Sequence, residues 1–318
     1  MNLRSLLQYA VLAPSGHNTQ PWLFRVADDH IDLFADRSRR LPVVDPDDRE
    51  LIISCGAALL NLRLAMTHSG YQPLVAAFPD PGQPDLLARV SRGAATRPGE
   101  LEEALFLVIP VRHTNRHRFE DRPLPAGLAE ALREAAESEG AWLHPVEREA
   151  ERHELANLIA EGDRLQGADV SFRRELAEWV HPNRSDSRDG LPGYAQGMGD
   201  LLSYLGPFVV RTFDWGTGQA AMDRQLAEGS PGLTVLGTPE DYPAAWLAAG
   251  QALQRVLLRL RVEGVSASFL NQPVETPALR GRLRSLIGAS GYPQLVLRFG
   301  YGPQVKATPR RELDEVVI

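Results

Sequence analysis

The sequence predicts an α+β fold assembled from two related halves. Segments with helical spacing of apolar residues alternate with short apolar runs of strand length along all 318 residues. No succession of strand–helix repeats builds a doubly wound parallel sheet. In addition, residues 50–71 and 242–265 echo one another. Cys55-Gly56-Ala57-Ala58-Leu59-Leu60-Asn61-Leu62 stands against Ala249-Gly250-Gln251-Ala252-Leu253-Gln254-Arg255-Val256, each within a long helical pattern that runs into a strand. That form suggests a duplicated unit.

A helix is expected over residues 2–12, because the residue before Pro14 disfavours helical geometry. Residues 22–26 and 30–35 read as a hairpin around Asp28-Asp29-His30. Asp45-Pro46-Asp47-Asp48 signals the start of a long helix through Ala65, with Leu51, Ile52, Cys55, Leu59 and Leu62 at helical spacing. Strands are expected at 72–78, 86–91 and 104–110. A loop at 121–125 precedes a helix at 126–138, a strand at 141–146 and helix over 149–180. Residues 181–199 are polar and rich in Gly and Pro, a length at which loops tend to be lids or binding segments. A strand at 206–213, a helix near 217–228 and a strand at 232–236 follow. Then come a helix at 242–262, with Ala245, Ala249, Ala252, Val256 and Leu260 on one face, and strands at 265–269 and 294–300.

The chain is 43% hydrophobic and 24% charged, an ordinary globular composition. A net charge of −7 argues against a general nucleic-acid binder, which needs a basic excess to neutralise phosphates. Lys306 is the only lysine, so an anion site must be built from arginine, whose planar fork pairs with phosphate. Cys55 is the only cysteine; this excludes an intrachain disulfide or a cysteine-based metal centre and reads as core packing in a reducing cytoplasm. The N-terminus lacks the pattern of a signal peptide, and no segment is expected to span a membrane, so the chain reads as soluble.

Three segments could bind a ligand. Val111-Arg112-His113-Thr114-Asn115-Arg116 sets two arginines four apart with a hydroxyl between them, a pattern that suits a phosphate but also describes a solvated basic stretch. Thr308-Pro309-Arg310-Arg311 offers paired arginines behind a stiffening proline, or a charged tail. Ser15, Gly16, Asn18 and Gln20 place small polar groups in a turn before Trp22, where a flat heteroaromatic ring could lie; the plainer reading is a polar turn.

Pro14-Ser15-Gly16-His17-Asn18-Thr19-Gln20-Pro21-Trp22 resembles the Pro-Ser-Ser-x-Asn-x-Gln-Pro-Trp signature of the FMN-dependent nitroreductase superfamily. Arg112-His113-Thr114-Asn115-Arg116 resembles its Arg-x-Ser-x-Arg/Lys phosphate motif. The phosphate motif follows the loop by about a hundred residues instead of preceding it. That order, with the Thr-Pro-Arg-Arg end, resembles the Acg-type branch, in which two nitroreductase-like halves are fused. The resemblance implies mixed or antiparallel sheets packed with helices, with one half over residues 1–110 and another over 111–318. It also implies one FMN per chain, held where an ordinary homodimer would build its site. Arg112 and Thr114, with Arg310 or Arg311, would contact the phosphate. Arg116 would sit near the N1/C2 carbonyl edge, and Pro14, Ser15, Gly16 and Asn18 would contact flavin or ribityl from the other half. Residues 263–272 resemble the segment that offers a backbone N–H to N5, with Asn271-Gln272 where the family has Glu-Gly.

The activity so implied is NAD(P)H-dependent reduction of a nitro compound, quinone or enone. The alternative is FMN storage beneath a closed lid, residues 181–199; a specialised flavin-dependent dehydrogenation is the third reading. The partner would be a small-molecule substrate or none, without nucleic acid or membrane, in a monomer or homodimer. Two other motifs compete. Trp215-Gly216-Thr217-Gly218-Gln219-Ala220-Ala221 contains Gly-x-Gly-x-x-Ala, with Glu240-Asp241 about twenty residues on, as a dinucleotide site would want. His113 and His117 could share a metal, but no third ligand or His-Glu-x-x-His accompanies them, and no metal is expected.

Overall fold

The computed structural model describes residues 2–196 and 199–318. The chain opens with a 3₁₀ turn, Leu3–Leu6, and a short helix α1, Leu7–Ala10, inside the expected span. Strands β1 (Trp22–Val26) and β2 (His30–Ala35) form the hairpin at the expected residues. Helix α2 (Arg49–His68) follows; the Asp45 carboxylate accepts from the Leu51 N–H at 2.9 Å, satisfying one of the free donors of its first turn. Strands β3 (Tyr71–Ala77) and β4 (Leu86–Ala95) complete a four-stranded antiparallel sheet of order β1-β2-β4-β3.

The expected strand at 104–110 is instead helix α3 (Glu100–Leu107) and a 3₁₀ turn at Ile109–Val111. Glu100, Glu102 and Glu103 load its first turn with negative charge, and Leu105 and Phe106 bury against the first core. A short apolar run cannot by itself distinguish a strand from a buried helical turn.

The second half runs through α4 (Leu128–Glu137), β5 (Trp142–Pro145), α5 (Glu149–Ala168) and α6 (Val170–Trp179). The helix expected over 149–180 breaks at Asp169, which is extended and caps α6 by accepting from Ser171 N–H at 2.7 Å. Two-residue strands β6 (Val180–His181) and β7 (Leu191–Pro192) and a 3₁₀ turn at Gly193–Gln196 occupy the lid candidate 181–199. Gly197 and Met198 of that candidate lie outside the described residues.

The strand expected at 206–213 is helix α7 (Asp200–Thr212), despite its Phe-Val-Val sequence. Packing against α6 overrides a weak β-propensity. Helices α8 (Gly216–Glu228) and α9 (Pro243–Val262) flank β8 (Gly232–Thr238). The chain then forms β9 (Ser266–Phe269), α10 (Gln272–Glu275), α11 (Pro277–Leu286), β10 (Tyr292–Gly300) and α12 (Leu313–Val316).

The second sheet has the order β5-β8-β10-β9, again antiparallel throughout. The two orders correspond strand for strand, and each sheet has one long helix, α2 or α9, between its second and fourth strands. The paired glycines of the sequence echo are where these helices cross. A Cβ on Gly56 would stand 2.3 Å from the Leu247 carbonyl oxygen, and one on Gly250 2.0 Å from that of Ile53. Only glycine permits that approach.

Helix α2 is long and apolar enough to cross a membrane by composition, contrary to the expectation that no segment would be, yet 83% of that window is buried inside the protein. It is buried nearly all round, as expected of a core helix. Cys55 is buried there, donating to the Pro21 carbonyl oxygen at 3.2 Å, and burial pushes its thiol pKa up. A second apolar layer, from α5, α8 and α11, covers the other face of the second sheet.

After β10 the tail crosses back to the first sheet. Ile318 N–H donates to Phe24 carbonyl oxygen at 2.9 Å, and residues 304–311 thereby pass over the Pro14–Gln20 loop.

Candidate functional site

A cavity of about 1100 Å³ lies where the tail, the Pro14–Gln20 loop and the 112–116 segment meet. A second compartment of about 410 Å³ shares Pro14, Ser15, Arg116, Phe269 and Gln272 with it, so the two adjoin. The outer one is lined by arginines, whereas the inner one combines apolar walls from Ile53, Phe172, Leu176, Val209 and Trp215 with the carboxyl groups of Glu50, Asp163, Asp223 and Glu275.

The loop is held in a conformation that L-residues seldom adopt. His17, Asn18 and Gln20 have φ of 47°, 57° and 52°. Such backbone persists where surrounding contacts over-determine it. Asn18 provides many of these: its Nδ2 donates to the carbonyl oxygens of Gly190 at 3.0 Å and Pro309 at 3.2 Å, and its Oδ1 accepts from Arg310. Gln20 donates to Arg188 carbonyl oxygen at 2.8 Å and accepts from Arg311 N–H at 2.8 Å. The Ser15 hydroxyl accepts from Gln20 N–H. One turn thus ties the first half to the lid candidate and to the tail.

The 112–116 segment runs beside β9, with Thr114 bridged to Ala267 and Asn115 N–H donating to the Ala267 carbonyl oxygen at 2.9 Å. Asn115 is turned into the protein, where its Nδ2 donates to Pro303 carbonyl oxygen. Arg112, Thr114 and Arg116 line the cavity.

Among the described residues, Arg112, Arg116, Arg298 and Arg310 line the outer compartment without an ion pair to any carboxylate. Nε of Arg112, Arg298 and Arg310 is buried with no hydrogen-bond partner. Arg112 and Arg310 both reach the Leu12 carbonyl oxygen, at 3.2 and 3.4 Å, which brings two cations together just before Pro14. Burial and that proximity push Arg112 down to about 9, and burial pushes Arg310 down to about 10. Burial, then Arg116, holds His17 near 4; burial, then Arg112 and Arg310, holds His113 near 4. Asp223 supplies a counter-charge to Arg116 and Arg298, whereas among the described residues no carboxylate offsets the burial of Arg112; a buried cation so placed calls for an anion.

Of the residues singled out in the sequence, Pro14, Ser15, Asn18, Arg112, Thr114, Arg116, Gln272 and Arg310 line the outer compartment. Gly16 and Asn271 line the inner one. Arg311 lines neither: it donates to the carbonyl oxygens of Gln20 and Glu315 and pairs with Asp36 at 3.4 Å, which makes it a brace for the tail.

Arg298, Tyr194, Asp163 and Asp223 also line these compartments. Only Arg298 left a signal, as a lone charge in the apolar run Leu295–Phe299. The others come from segments whose sequence reads as ordinary amphipathic helix or loop.

Gly216-Thr217-Gly218 opens α8, but a helix rather than a strand precedes it. Gly216 serves as a notch against Gly167 of α5, where a Cβ on Gly167 would lie 2.5 Å from Gly216 Cα. Among the described residues no group of three or more His, Cys, Asp or Glu is placed to hold a metal ion.

No family model matches the sequence. The chain is 33% identical over 320 residues to a Mycobacterium tuberculosis protein provisionally named an NAD(P)H nitroreductase, spanning 99% of this chain and 90% of the relative. It is 30% identical over 324 residues to the M. tuberculosis protein Acg, also provisionally named an NAD(P)H nitroreductase, spanning 99% of this chain and 94% of the relative. The solved FMN- and NADPH-dependent nitroreductase NfnB from sphigopyxis sp. strain HMH aligns with 69% of this chain and 98% of its own, at 20% identity and a TM-score of 0.43.

Proposed function

This chain belongs to the nitroreductase family, with Acg among its relatives, and from that premise we propose that it is an FMN-dependent NAD(P)H oxidoreductase holding one FMN per chain. The observation that carries the reading is the set of arginines, none in an ion pair among the described residues and three with a buried, unpartnered Nε, converging on one cavity beside a smaller compartment. That donor set fits a phosphate, and the adjoining compartment fits a flat ring. Arg112 and Arg310 would hold the phosphate with the Thr114 hydroxyl, and Arg116 would face the polar edge of the ring. Pro14, Ser15, Gly16 and Asn18 would wall the ring and ribityl from one side, with Asn271 and Gln272 on the other. The bound flavin would supply hydride chemistry toward a nitro compound, quinone or enone. The protein's part is to shield the ring in the smaller compartment and to set positive charge where reduction builds negative charge.

In this reading residues 1–110 lend the Pro14–Asn18 loop and residues 111–318 hold the phosphate pocket. Both walls come from one chain, so a monomer suffices, and a reducing cytoplasm suits the single thiol. The second reading is sequestration of FMN. It is favoured by how firmly residues 188–190 are tied: Arg39 pairs with Asp189, Asn18 donates to Gly190, and Gln20 donates to Arg188.

A visible spectrum of the protein after incubation with FMN and gel filtration is expected to show bound flavin; protein without flavin absorbance overturns the proposal. Rapid anaerobic bleaching by NADPH supports the reductase, whereas bleaching only by dithionite supports sequestration.

A further inference from the structure

The wall of the inner compartment carries a polar group that the arginine cluster does not explain. Asp163, on α5, is 2% exposed. Its Oδ1 accepts from Gln272 Nε2 at 3.0 Å, while its Oδ2 is buried with no partner. The same Nε2 donates to Asp223 Oδ2, on α8, at 2.8 Å. One amide group therefore bridges two buried carboxyl groups, and among the described residues neither forms an ion pair. Gly162 allows this closeness, since a Cβ there would lie 2.6 Å from Gln272 Cβ.

We propose that Asp163, which lines the inner compartment, is the proton donor of this site: its carboxyl group delivers a proton to the oxygen of a quinone-type acceptor lodged there, with Gln272 and Asp223 as positioning residues. The assignment rests on the flavin-dependent reading above.

Two like carboxylates this close in an apolar setting cannot both ionise cheaply, so one retains a proton. The surroundings decide which one. Burial raises the Asp223 carboxyl too, but Arg298 of β10 and Arg116 of the 112–116 segment oppose that rise and favour its charged form. Asp163 faces Asp223 and, from α10, Glu275, both of which raise it, while Arg164 on its own helix opposes them more weakly. Burial first, and Asp223 second, push Asp163 up to about 8. It is therefore the acid that is neutral at pH 7, and its Oδ2 has no hydrogen-bond partner among the described residues.

Reduction of a quinone to a hydroquinone takes up two electrons and two protons. A hydride equivalent, drawn from a reduced nicotinamide dinucleotide through the bound flavin, brings both electrons and one proton; the second proton comes from a donor. In that step the Asp163 O–H bond breaks, its electron pair stays on the carboxylate, and an O–H bond forms on the acceptor. Gln272 Nε2 steadies the new carboxylate, and solvent restores the proton once the product has left.

The test joins a titration without turnover to a pH profile. Infrared difference spectra of the FMN-loaded protein, from about pH 6 to about pH 10, are expected to show a neutral carboxyl band lost near pH 8 and absent from Asp163→Asn. Asn keeps the shape and the hydrogen bond from Gln272 but has no acidic proton. NADPH-dependent reduction of p-benzoquinone is expected to fall about 10²-fold in Asp163→Asn, the scale of general acid catalysis, with loss of its alkaline limb. Asp223→Asn removes the neighbouring charge and should move that limb of the otherwise intact donor to lower pH. Failure of the parent protein to show the titrating band, or an unchanged alkaline limb in an Asp163→Asn protein that retains flavin, overturns the donor assignment alone. Parent protein that binds no flavin overturns the underlying reading and the donor role with it.

Discussion

Replacing Arg112 with methionine should stabilise the empty protein and weaken its hold on FMN. Arg112 is 5% exposed, its Nε has no partner, and its pKa is pushed from the usual 12.5 to about 9, first by burial and then by Arg310. A base whose folded pKa is depressed destabilises the fold at every pH below the folded value, and relief comes only as pH rises past about 9. At about 1.36 kcal/mol per pH unit the burden at pH 7 is roughly 5 kcal/mol. Methionine removes the charge and fills much of the volume, at the loss of the bond to the Leu12 carbonyl oxygen, worth about 1.5–3 kcal/mol. The net expectation is a gain of about 2–3 kcal/mol in the flavin-free protein, read as a higher urea midpoint. The same change takes one charged donor from the phosphate, about 1.5–3 kcal/mol, or roughly 10- to 150-fold in Kd for FMN. Riboflavin, which has no phosphate, should keep its affinity within about twofold. Flavin fluorescence titrations of both ligands separate the two effects. Equal losses for FMN and riboflavin, or a destabilised empty protein, would refute the assignment of Arg112 to an anion.

Gly250→Ala should destabilise the fold by at least about 1 kcal/mol. The new Cβ would meet the Ile53 carbonyl oxygen at 2.0 Å, and overpacking against backbone outweighs alanine's advantage of about 1 kcal/mol in a helix. An unchanged denaturation midpoint would show that α2 and α9 do not cross so closely. Glu50→Gln should stabilise the protein increasingly as pH rises. Burial first, then Glu275, raise the Glu50 carboxyl well above its usual 4.5, so between about 4.5 and the folded value the unfolded chain loses a proton that the folded chain keeps, and parental stability falls with rising pH. Thermal melts at pH 4 and pH 8 should coincide at the lower value and separate at the higher; a gap that is the same at both disproves the burial effect.

The local signals of the fold were readable residue by residue. Trp22–Val26 and His30–Ala35 alternate around a polar turn and form the hairpin they predict, and α2 and α9 follow from apolar spacing alone. Residues 104–110 and 206–213 misled because a short apolar run is compatible with either periodicity until its neighbours are known. In the first case α2 made the choice, and in the second α6 did. The echo of Gly56 and Gly250 was visible as a weak repeat; that each glycine exists to admit the other became apparent only once the helices were placed together.

By itself the sequence determined that any anion site would be built from arginine, and it marked the Pro14–Gln20, 112–116 and 308–311 segments as its candidates. It left open whether Arg310 or Arg311 served, because adjacent residues are chemically alike and their directions depend on what the tail crosses. Only the tertiary structure shows their separate directions, with Arg310 lining the cavity and Arg311 paired with Asp36. It also joined Asp163, Asp223 and Gln272, which lie on three helices 49 to 109 residues apart. No local pattern encodes such a meeting, for the pKa of a carboxyl group depends on desolvation and on charges supplied by distant chain, and both exist only after packing.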